Sequence, residues 1–432
     1  MFFNRQALHL RPDPARVVVR PFKPATEPRD LNPTDKTRAN HIVDRVLALD
    51  SATVASQLAD VLDNFLGRHR NLLQTFEARA AEMEAAFATH ATFTQDQRRL
   101  VGAYFLHEYS FEAAALFNPS IVSHPDQSGA PAGGRRFILS LRATGEGHVS
   151  SLTFRSGLIQ ADGSVSVDPP ARLATIPQVR GFSGAAAADA DAERVELVFR
   201  PDEDISERVI FPVLPSQSNG IEDARFVEFV DAGERAFYAT YTAYTGRAIR
   251  SELIETRDFV TFRMAPLNGT AARNKGMALF PRKIGGKYAM IARQDNENLY
   301  LIYSDDLYTW NGGQVILRPE FPWEFVQIGN CGSPIDLDEG WLLLTHGVGP
   351  VRRYSIGAVL LDKEDPSKVL ARSREPLVRP EPSEREGYVP NVVYTCGGMR
   401  HGERVILPYA VSDTYCSVAT MKIAALIDNL RG

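Results

Sequence analysis

Residues 37–107 show the sequence pattern of amphipathic helices. Apolar residues recur three or four positions apart, as on the buried face of an amphipathic helix. They are Val43, Val46, Leu47 and Leu49, followed by Val54, Leu58, Val61, Leu62 and Phe65. Ser51, directly after Asp50, is predicted as the N-cap of the second helix. A further helix is predicted over residues 95–107, and we interpret all of these helices as padding or dimerising the main domain.

From about residue 112 the pattern changes to short apolar runs separated by Gly, Asp and Asn turns, which is typical of β-strands. One order of elements (strand, Gly-containing turn, strand, polar loop, strand) occurs five times. The copies lie at 135–157, 224–259, 278–310, 333–366 and 391–423. Four-stranded units that repeat about every 50 residues indicate a β-propeller. The pattern therefore predicts an all-β fold, a five-bladed β-propeller with an N-terminal α-helical extension.

These patterns divide the chain into three parts. Residues 1–36 are rich in Pro and Arg and are predicted to run extended. Residues 37–110 form the helical extension, and residues 111–432 form the propeller. The interval between the first two copies is longer than the others, which predicts an insertion over about 158–215.

The loop after the second strand is polar in every copy: RATGEGHVS, TAYTGR, RQDNEN, HGVGPVRRY and AVSDTY. One set of propeller loops converges on the central axis, so these loops are predicted to line a common pocket. The polar candidates in or beside them are Arg142, His148, Arg293, Asp295, His346, Arg353 and Asp413. Such a pocket suits a polyhydroxylated or anionic ligand. The alternative is that each loop is an ordinary solvated turn.

Composition excludes several functions. A formal net charge of -5 without a basic run gives no footprint for nucleic acid. The chain has no apolar run long enough for a membrane helix, and its first residues lack the apolar core of a signal peptide. Three cysteines without metal-type spacing fit a reduced, cytoplasmic setting. The nine histidines are scattered, so no metal site is predicted.

Several ordered motifs resemble glycoside hydrolase family 130, which includes β-mannoside phosphorylases and β-1,2-mannosidases. They are NKGMALFPRKIGGKYAMIAR, SPIDLDEGWLLLTHGV, GAVLLDKEDPSKVLAR, PNVVYTCGG and YAVSDT, within about residues 110–425. The family fold is a five-bladed propeller, in agreement with the repeat count. The resemblance identifies Asp223, in the phrase Glu-Asp-Ala-Arg at 222–225, as the proton donor. In this family the proton is thought to pass through a sugar hydroxyl.

The resemblance also implies two sets of binding residues. Those for phosphate are Lys275, Arg293, His346, Arg353 and Tyr354. Those for the sugar are Arg142, Asn274, Asp413 and His148. Basic and hydroxyl side chains donate hydrogen bonds to phosphate oxygens. Arg353 and Tyr354 stand in the reverse of the family order, which leaves their roles open.

Each chemical assignment has a structural alternative. Arg293 could pair with Asp295 or with a carboxylate of a neighbouring blade. His346, at the end of an apolar strand, could be a satisfied core histidine. Lys275 could lie on an exposed loop, and Asp223 could form only an ion pair with Arg225.

The sequence favours inverting phosphorolysis of β-mannosides to α-mannose 1-phosphate, with inorganic phosphate as co-substrate and no cofactor. A β-mannosidase that uses water is the alternative, and it needs a second carboxylate about 6.5–9.5 Å from the acid. Glu108, Glu146 and Asp295 are the candidates for that base. A third hypothesis is a non-catalytic glycan-binding propeller. The partners implied are a mannoside or oligosaccharide and phosphate, and members of the family often form homo-oligomers.

Overall fold

The computed structural model describes residues 3–26, 36–87, 93–181 and 194–432, with side chains of residues 86 and 87 excepted. Parts of the predicted N-terminal segment, helical extension and insertion therefore lie outside the described residues. The chain divides into two compact units. The larger consists of residues 1–14, 111–171 and 176–432, and the smaller of residues 15–110 and 172–175.

Within its described residues, the smaller unit contains four helices and one strand pair. The helices are α1 (Arg38–Leu47), α2 (Ser51–Phe65), α3 (Leu72–Phe87) and α4 (Gln95–Tyr104). The strands are β2 (Val17–Pro21) and β3 (Leu106–Ser110), which pair antiparallel. The helices share one core, made by Val43, Val46, Val54, Met83, Leu100, Val101 and Phe105. Of the nine apolar positions predicted for the first two helices, four are buried (Val43, Val46, Val54 and Leu58) and the other five are partly buried.

Two helix boundaries differ from the prediction. The N-cap of α2 is Asp50 rather than Ser51, because the Asp50 carboxylate accepts the Thr53 backbone N–H at 2.8 Å. A carboxylate at this position also suits the positive end of the helix dipole. Helix α4, predicted over residues 95–107, ends at Tyr104 because Leu106 already begins β3.

The larger unit is built from five groups of antiparallel strands. The first group is β4 (Ala115–Ser123), β5 (Arg135–Thr144) and β6 (Ser150–Ile159), with β7 (Val165–Val167) and β10 (Val209–Ile210) both paired to β6. The second is β11 (Gly220–Asp231), β12 (Glu234–Tyr244), β13 (Ile249–Thr256) and β14 (Thr261–Pro266), extended by β9 (Val195–Val198) and β8 (Gln178–Gly181). The segment predicted as an insertion thus supplies edge strands to both groups.

The remaining three groups follow the repeat more closely. The third is β15 (Ala278–Leu279), β16 (Tyr288–Ala292), β17 (Leu299–Ser304) and β18 (Gln314–Leu317). The fourth is β19 (Gln327–Asn330), β21 (Gly340–Val348), β22 (Tyr354–Leu361) and β23 (Val369–Arg372), with β20 (Ile335–Leu337) paired to β21. The fifth is β24 (Val393–Tyr394), β26 (Arg404–Val411) and β27 (Tyr415–Lys422), with β25 (Met399–His401) paired to β26. Helix α5 (Ile423–Arg431) follows β27.

Two pairings join distant parts of the chain. Strand β1 (Phe3–Arg5) pairs antiparallel with β27, so the beginning of the chain supplies the outer strand of the fifth group. The first and second groups meet through one parallel pair, Gly220 with Ser150, and are therefore continuous as an eleven-stranded sheet.

Neighbouring strand groups bury apolar side chains against each other. Ile138 and Phe154 of the first group share a core with Phe237 of the second. The second and third groups also share an apolar core, as do the third and fourth groups and the fourth and fifth groups. A further cluster joins Leu139 of the first group to Ile406 of the fifth. The cores therefore link the groups in chain order and also link the last to the first.

Two features are absent from the described residues. No helix among them is long and apolar enough to cross a membrane. No three or more His, Cys, Asp or Glu side chains in the described ranges are arranged to hold a metal ion.

Candidate active site

A polar cavity of about 200 Å³ lies in the larger unit, where the first strands of the groups come together. Seven of the ten residues predicted for the site line it. They are Asp223, Arg142, Asp413, Lys275, Arg293, His346 and Tyr354. Four of the polar loops contribute lining residues, and the TAYTGR loop contributes none; the contributed residues are Arg142, Arg293, His346, Arg352, Tyr354 and Asp413. Most of the other lining residues come from or next to β4, β11, β15, β19 and β24.

The structure does not bring Asn274, His148 and Arg353 into this lining. The Asn274 side-chain amide donates to the Gln294 carbonyl oxygen and so braces a loop. His148 is exposed and bonded to another loop residue, Tyr388. Arg353 is exposed as well.

Arg352 takes the position predicted for Arg353. Val351 and Arg352 have φ values of 56° and 53°, a left-handed turn that changes the direction of successive side chains. Arg353, which was predicted from the reversed Arg-Tyr phrase, therefore lies outside the cavity lining. Its neighbour Arg352 lines the cavity instead.

Several polar residues of the lining were not predicted from the sequence, among them Asn118, Glu222, Arg225, Asn330 and Tyr394. Asn118 and Asp223 each lie at a strand irregularity, in β4 and β11, and have φ values of 49° and 53°. Such bulges turn a side chain out of the regular alternation of a strand. An Asn followed by Pro within an otherwise apolar strand, as in LFNPS, was the available signal for Asn118.

The Asp223 carboxylate is surrounded by donors. The Asn118 amide donates to its Oδ1 at 2.6 Å, and Arg142 Nη1 lies 3.4 Å from the same oxygen. Arg225 Nη2 is 3.9 Å from Oδ2. The ion pair between Asp223 and Arg225 considered above therefore exists, but it is loose and is one of several contacts.

The same contacts determine the charge of Asp223. Burial acts to raise its pKa, but the positive charges of Arg142, Arg225 and Lys275 outweigh burial and lower the pKa to about 2. Glu222 holds two of these cations in place. Its carboxylate accepts from Arg142 Nη2 at 2.8 Å and lies 3.6 Å from Lys275 Nζ.

Asp413 lies on the same side of the cavity as Asp223, but its pKa is shifted in the opposite direction. Burial raises its pKa to about 7, against the positive charge of Arg142 and together with the negative charge of Asp223. Near neutral pH the two carboxyl groups therefore differ in protonation: Asp223 is ionised and Asp413 is partly protonated. A partly protonated carboxyl can both donate to and accept from a sugar hydroxyl.

Asp413→Asn is expected to flatten the pH dependence of stability. The folded pKa of Asp413 lies above the unfolded value of about 3.9, so its contribution is complete below about pH 4 and is lost as pH rises through 7. Urea unfolding at pH 5 and pH 8 should show a larger fall in the free energy of unfolding for wild type than for the variant. Asp305→Asn, which changes an exposed carboxylate, should behave like wild type. Equal falls in wild type and Asp413→Asn would contradict this assignment.

The other side of the cavity carries two buried arginines with neutral partners. Arg225 Nη2 donates to the Tyr394 hydroxyl at 2.8 Å, and Arg293 Nη1 lies 3.3 Å from His346 Nε2. Arg293 forms no ion pair with a carboxylate within the described residues, and the positive charge of Arg225 acts on it unfavourably. The Nε atoms of both arginines are buried and have no hydrogen-bond partner among the described residues. Arg293 thus has no carboxylate partner among the described residues and Arg225 has only its loose pair with Asp223, an arrangement that suits an anion.

His346 is buried at the base of this side. Burial, and then the charge of Arg293, lower its pKa well below the usual value, so the ring is neutral. It stacks on Tyr354, with ring centroids 5.9 Å apart, and meets Tyr394 edge-on at 4.9 Å. Gly329 allows the close packing, since a Cβ there would lie 2.3 Å from the His346 ring. His346 therefore orients Arg293 and adds no charge of its own.

The three candidates for a hydrolytic base do not line the cavity. Glu108 belongs to the smaller unit, where Arg68 and His69 both donate to its carboxylate. Glu146 is exposed. The Asp295 carboxylate accepts a hydrogen bond from the Asn298 backbone N–H at 2.8 Å and another from the Tyr300 hydroxyl at 2.8 Å. Asp295 thus stabilises a turn, and the Arg293–Asp295 pair considered above is not formed.

Comparison with known proteins gives consistent matches. Residues 202–431 match the model of the glycoside hydrolase 130 family, described as β-1,4-mannooligosaccharide phosphorylase. A 1,2-β-oligomannan phosphorylase from Thermoanaerobacter sp. (strain X514) is 35% identical over 221 residues, which cover 49% of this chain and 73% of that protein. A β-1,2-mannobiose phosphorylase from Listeria innocua serovar 6a is 31% identical over 51% of this chain and 63% of its own length.

Solved structures agree on the fold. The β-1,2-mannobiose phosphorylase from Listeria innocua, in complex with β-1,2-mannobiose, aligns with a TM-score of 0.54 and 21% identity. The alignment covers 74% of this chain and 92% of that one. The family model matches more than half of the chain, including Asp223, Arg293 and Asp413. The protein is therefore an enzyme of glycoside hydrolase family 130.

Proposed function

We propose that this enzyme cleaves β-mannosides by inverting phosphorolysis and releases α-mannose 1-phosphate. The observation that carries the proposal is the pair of buried guanidinium groups of Arg225 and Arg293, whose close partners are Tyr394 and His346. A phosphate dianion would balance the positive charge of Arg293, which has no carboxylate partner among the described residues, and of Arg225, whose pair with Asp223 is loose. The two relatives reported above are both mannoside phosphorylases, which supports the same reaction.

The two sides of the cavity then have separate tasks. Arg225, Arg293 and Tyr394 bind phosphate, with Tyr354 and Lys275 near it, and His346 orients Arg293. Asp223 is the proton donor, and Arg142 and Asp413 bind the mannosyl residue that is transferred. A phosphate oxygen bonds to C1 from the face opposite the leaving oxygen. The bond from C1 to that oxygen breaks, and the leaving oxygen receives the Asp223 proton, relayed through a sugar hydroxyl.

Phosphate binding also helps to explain how Asp223 acquires its proton. In the free site three cations lower the pKa of Asp223 to about 2, so the group is ionised. A bound dianion offsets the charge of Arg225 and brings negative charge near the carboxylate. Both effects raise the pKa of Asp223 toward the working pH. Phosphate therefore prepares the acid as well as attacking the sugar.

The architecture that fits these observations is a five-bladed β-propeller with the cavity on its axis. Support comes from the five strand groups, from the cores that link each group to the next and the last to the first, and from the pairing of β1 with β27. The helices of residues 37–110 form a separate extension to the propeller of residues 111–432, and the segment at 158–215 is an insertion. We also propose a homo-oligomer, as the resemblance to the family implies.

The direct test is turnover with and without phosphate. Purified enzyme is incubated with β-1,2- and β-1,4-linked mannobiose, with and without inorganic phosphate, and both α-mannose 1-phosphate and free mannose are measured. We expect sugar phosphate that depends on added phosphate. Free mannose formed equally well without phosphate would overturn phosphorolysis in favour of hydrolysis, with Asp413 as the carboxylate to test as base. Binding of mannobiose without turnover would indicate the glycan-binding alternative.

A further inference from the structure

Three loops with exposed side chains lie around the Asp413 side of the cavity. Tyr388 is 45% exposed and Val351 is 92% exposed. Tyr388 precedes Val389 and Val351 precedes Arg352, and both following residues line the cavity. The third loop carries His148 and follows β5, the strand that bears Arg142. These side chains take no part in the mechanism proposed above.

Tyr388 is held firmly beside Asp413. Its backbone N–H donates to Thr414 Oγ1 at 2.8 Å, and the N–H of Val389 donates to the Ser412 carbonyl at 3.0 Å. Gly387 permits this approach, because a Cβ there would lie 2.4 Å from Thr414 Oγ1. The segment is thus fastened to the residues on both sides of Asp413, and the Tyr388 ring has a defined place at the edge of the cavity.

His148 holds the other end of the ring. The Tyr388 hydroxyl and His148 Nδ1 form a hydrogen bond of 2.6 Å, and the two rings are tilted by 41° with centroids 5.8 Å apart. His148 has a φ value of 59° and follows Gly147 at 67°. The left-handed turn therefore aims an exposed histidine at a residue 240 positions away in the chain.

The size of the cavity leaves one sugar outside it. Its volume of about 200 Å³ is below the ~300–1,000 Å³ of pockets that enclose a drug-sized ligand. A disaccharide together with phosphate exceeds this space, so the second sugar ring must lie at the edge. Tyr388 offers there an apolar face with a polar tip, which is suited to the C–H face of a sugar ring.

We propose that Tyr388, oriented by His148, forms the binding surface for the leaving-group sugar of the β-mannoside. This inference rests on the proposed function, since it assigns the second sugar of the same reaction. In the reverse reaction the same surface binds the acceptor sugar that attacks α-mannose 1-phosphate. His148 is a positioning residue and acts through the Tyr388 ring.

The test measures the reverse reaction, in which donor and acceptor are varied independently. Tyr388→Ala should raise KM for the acceptor mannose roughly tenfold, in keeping with the strength of ring stacking. KM for α-mannose 1-phosphate should stay within about twofold. Tyr388→Phe keeps the ring but loses the hydrogen bond to His148, so it should raise acceptor KM about as much as His148→Ala and less than Tyr388→Ala. His148→Ala should raise acceptor KM less than Tyr388→Ala, and His148→Ala combined with Tyr388→Ala should be no worse than Tyr388→Ala alone.

Tyr303→Ala is the matched control, because Tyr303 is similarly exposed, at 39%, and does not line the cavity. An unchanged acceptor KM in Tyr388→Ala, with active wild type, would overturn the inference and leave the proposed function standing. Inactive wild type would refute the proposed function instead. In that case calorimetric titration with β-1,2-mannobiose decides: weaker binding to Tyr388→Ala than to wild type supports the surface, and equal or absent binding refutes it.

Discussion

Asp223→Asn is expected to lower kcat for phosphorolysis roughly a thousandfold, within the range that general acid catalysis contributes. An amide cannot supply the proton that the leaving oxygen needs. The substitution should keep the local geometry, because Asn tolerates the φ of 53° and its side-chain oxygen can still accept from Asn118. Initial rates of α-mannose 1-phosphate release at saturating phosphate and mannoside measure the effect.

The control for this variant is Asp231→Asn, which changes an aspartate on the same strand, β11, outside the cavity. It should retain wild-type kcat. Thermal melting of both variants is needed, because the Asp223 carboxylate interacts favourably with Arg142 and Arg225 and its loss should lower stability. A folded Asp223→Asn variant that keeps more than a tenth of wild-type kcat would show that another group donates the proton.

Arg293→Met is expected to raise KM for phosphate roughly tenfold to a hundredfold, since hydrogen bonds from charged donors contribute about 1.5–3 kcal/mol each. KM for the mannoside should change much less, because Arg293 lies on the side of the cavity away from Asp413. Arg247→Met is the matched control: Arg247 is exposed on the TAYTGR loop, which supplies no lining residue. Initial rates over a matrix of phosphate and mannoside concentrations separate the two constants.

Arg293→Met is expected to affect stability differently from activity. Arg293 is buried, has no carboxylate ion pair among the described residues and is repelled by Arg225. Its replacement by an apolar side chain of similar length should therefore leave the free energy of unfolding unchanged or higher. Lower activity with unchanged or higher stability would identify Arg293 as a residue kept for phosphate. A large loss of stability together with an unchanged phosphate KM would place the anion site elsewhere.

Most of what the sequence predicted about the architecture came from the repeat pattern. Turn residues and alternating apolar runs are local features, and the five copies correspond in order to the five strand groups. Local features were less informative at element ends. The N-cap of α2 was placed one residue late because Asp50 and Ser51 are both good caps, and only the hydrogen bond to Thr53 distinguishes them.

The polar loops predicted part of the cavity lining and left out other residues that line it. Arg293 and Asp413 follow second strands and were accessible to pattern reasoning. Tyr394 and Asn330 belong to short first strands, where a polar residue in an apolar run has no local mark of function. They line the cavity because the first strands of different groups meet there, which is a property of distant segments of the chain.

By itself, the sequence determined that the fold is mostly β and the order of the strand groups and, through the resemblance, marked Asp223 as the candidate proton donor, because each of these is written in residue types at fixed spacing. Tertiary structure alone decided that Arg352 and not Arg353 faces the cavity, that His346 is neutral and that Asp413 and Asp223 have opposite pKa shifts. The physical reason is that side-chain direction and protonation depend on backbone turns, burial and the summed charge of neighbours contributed by other strands.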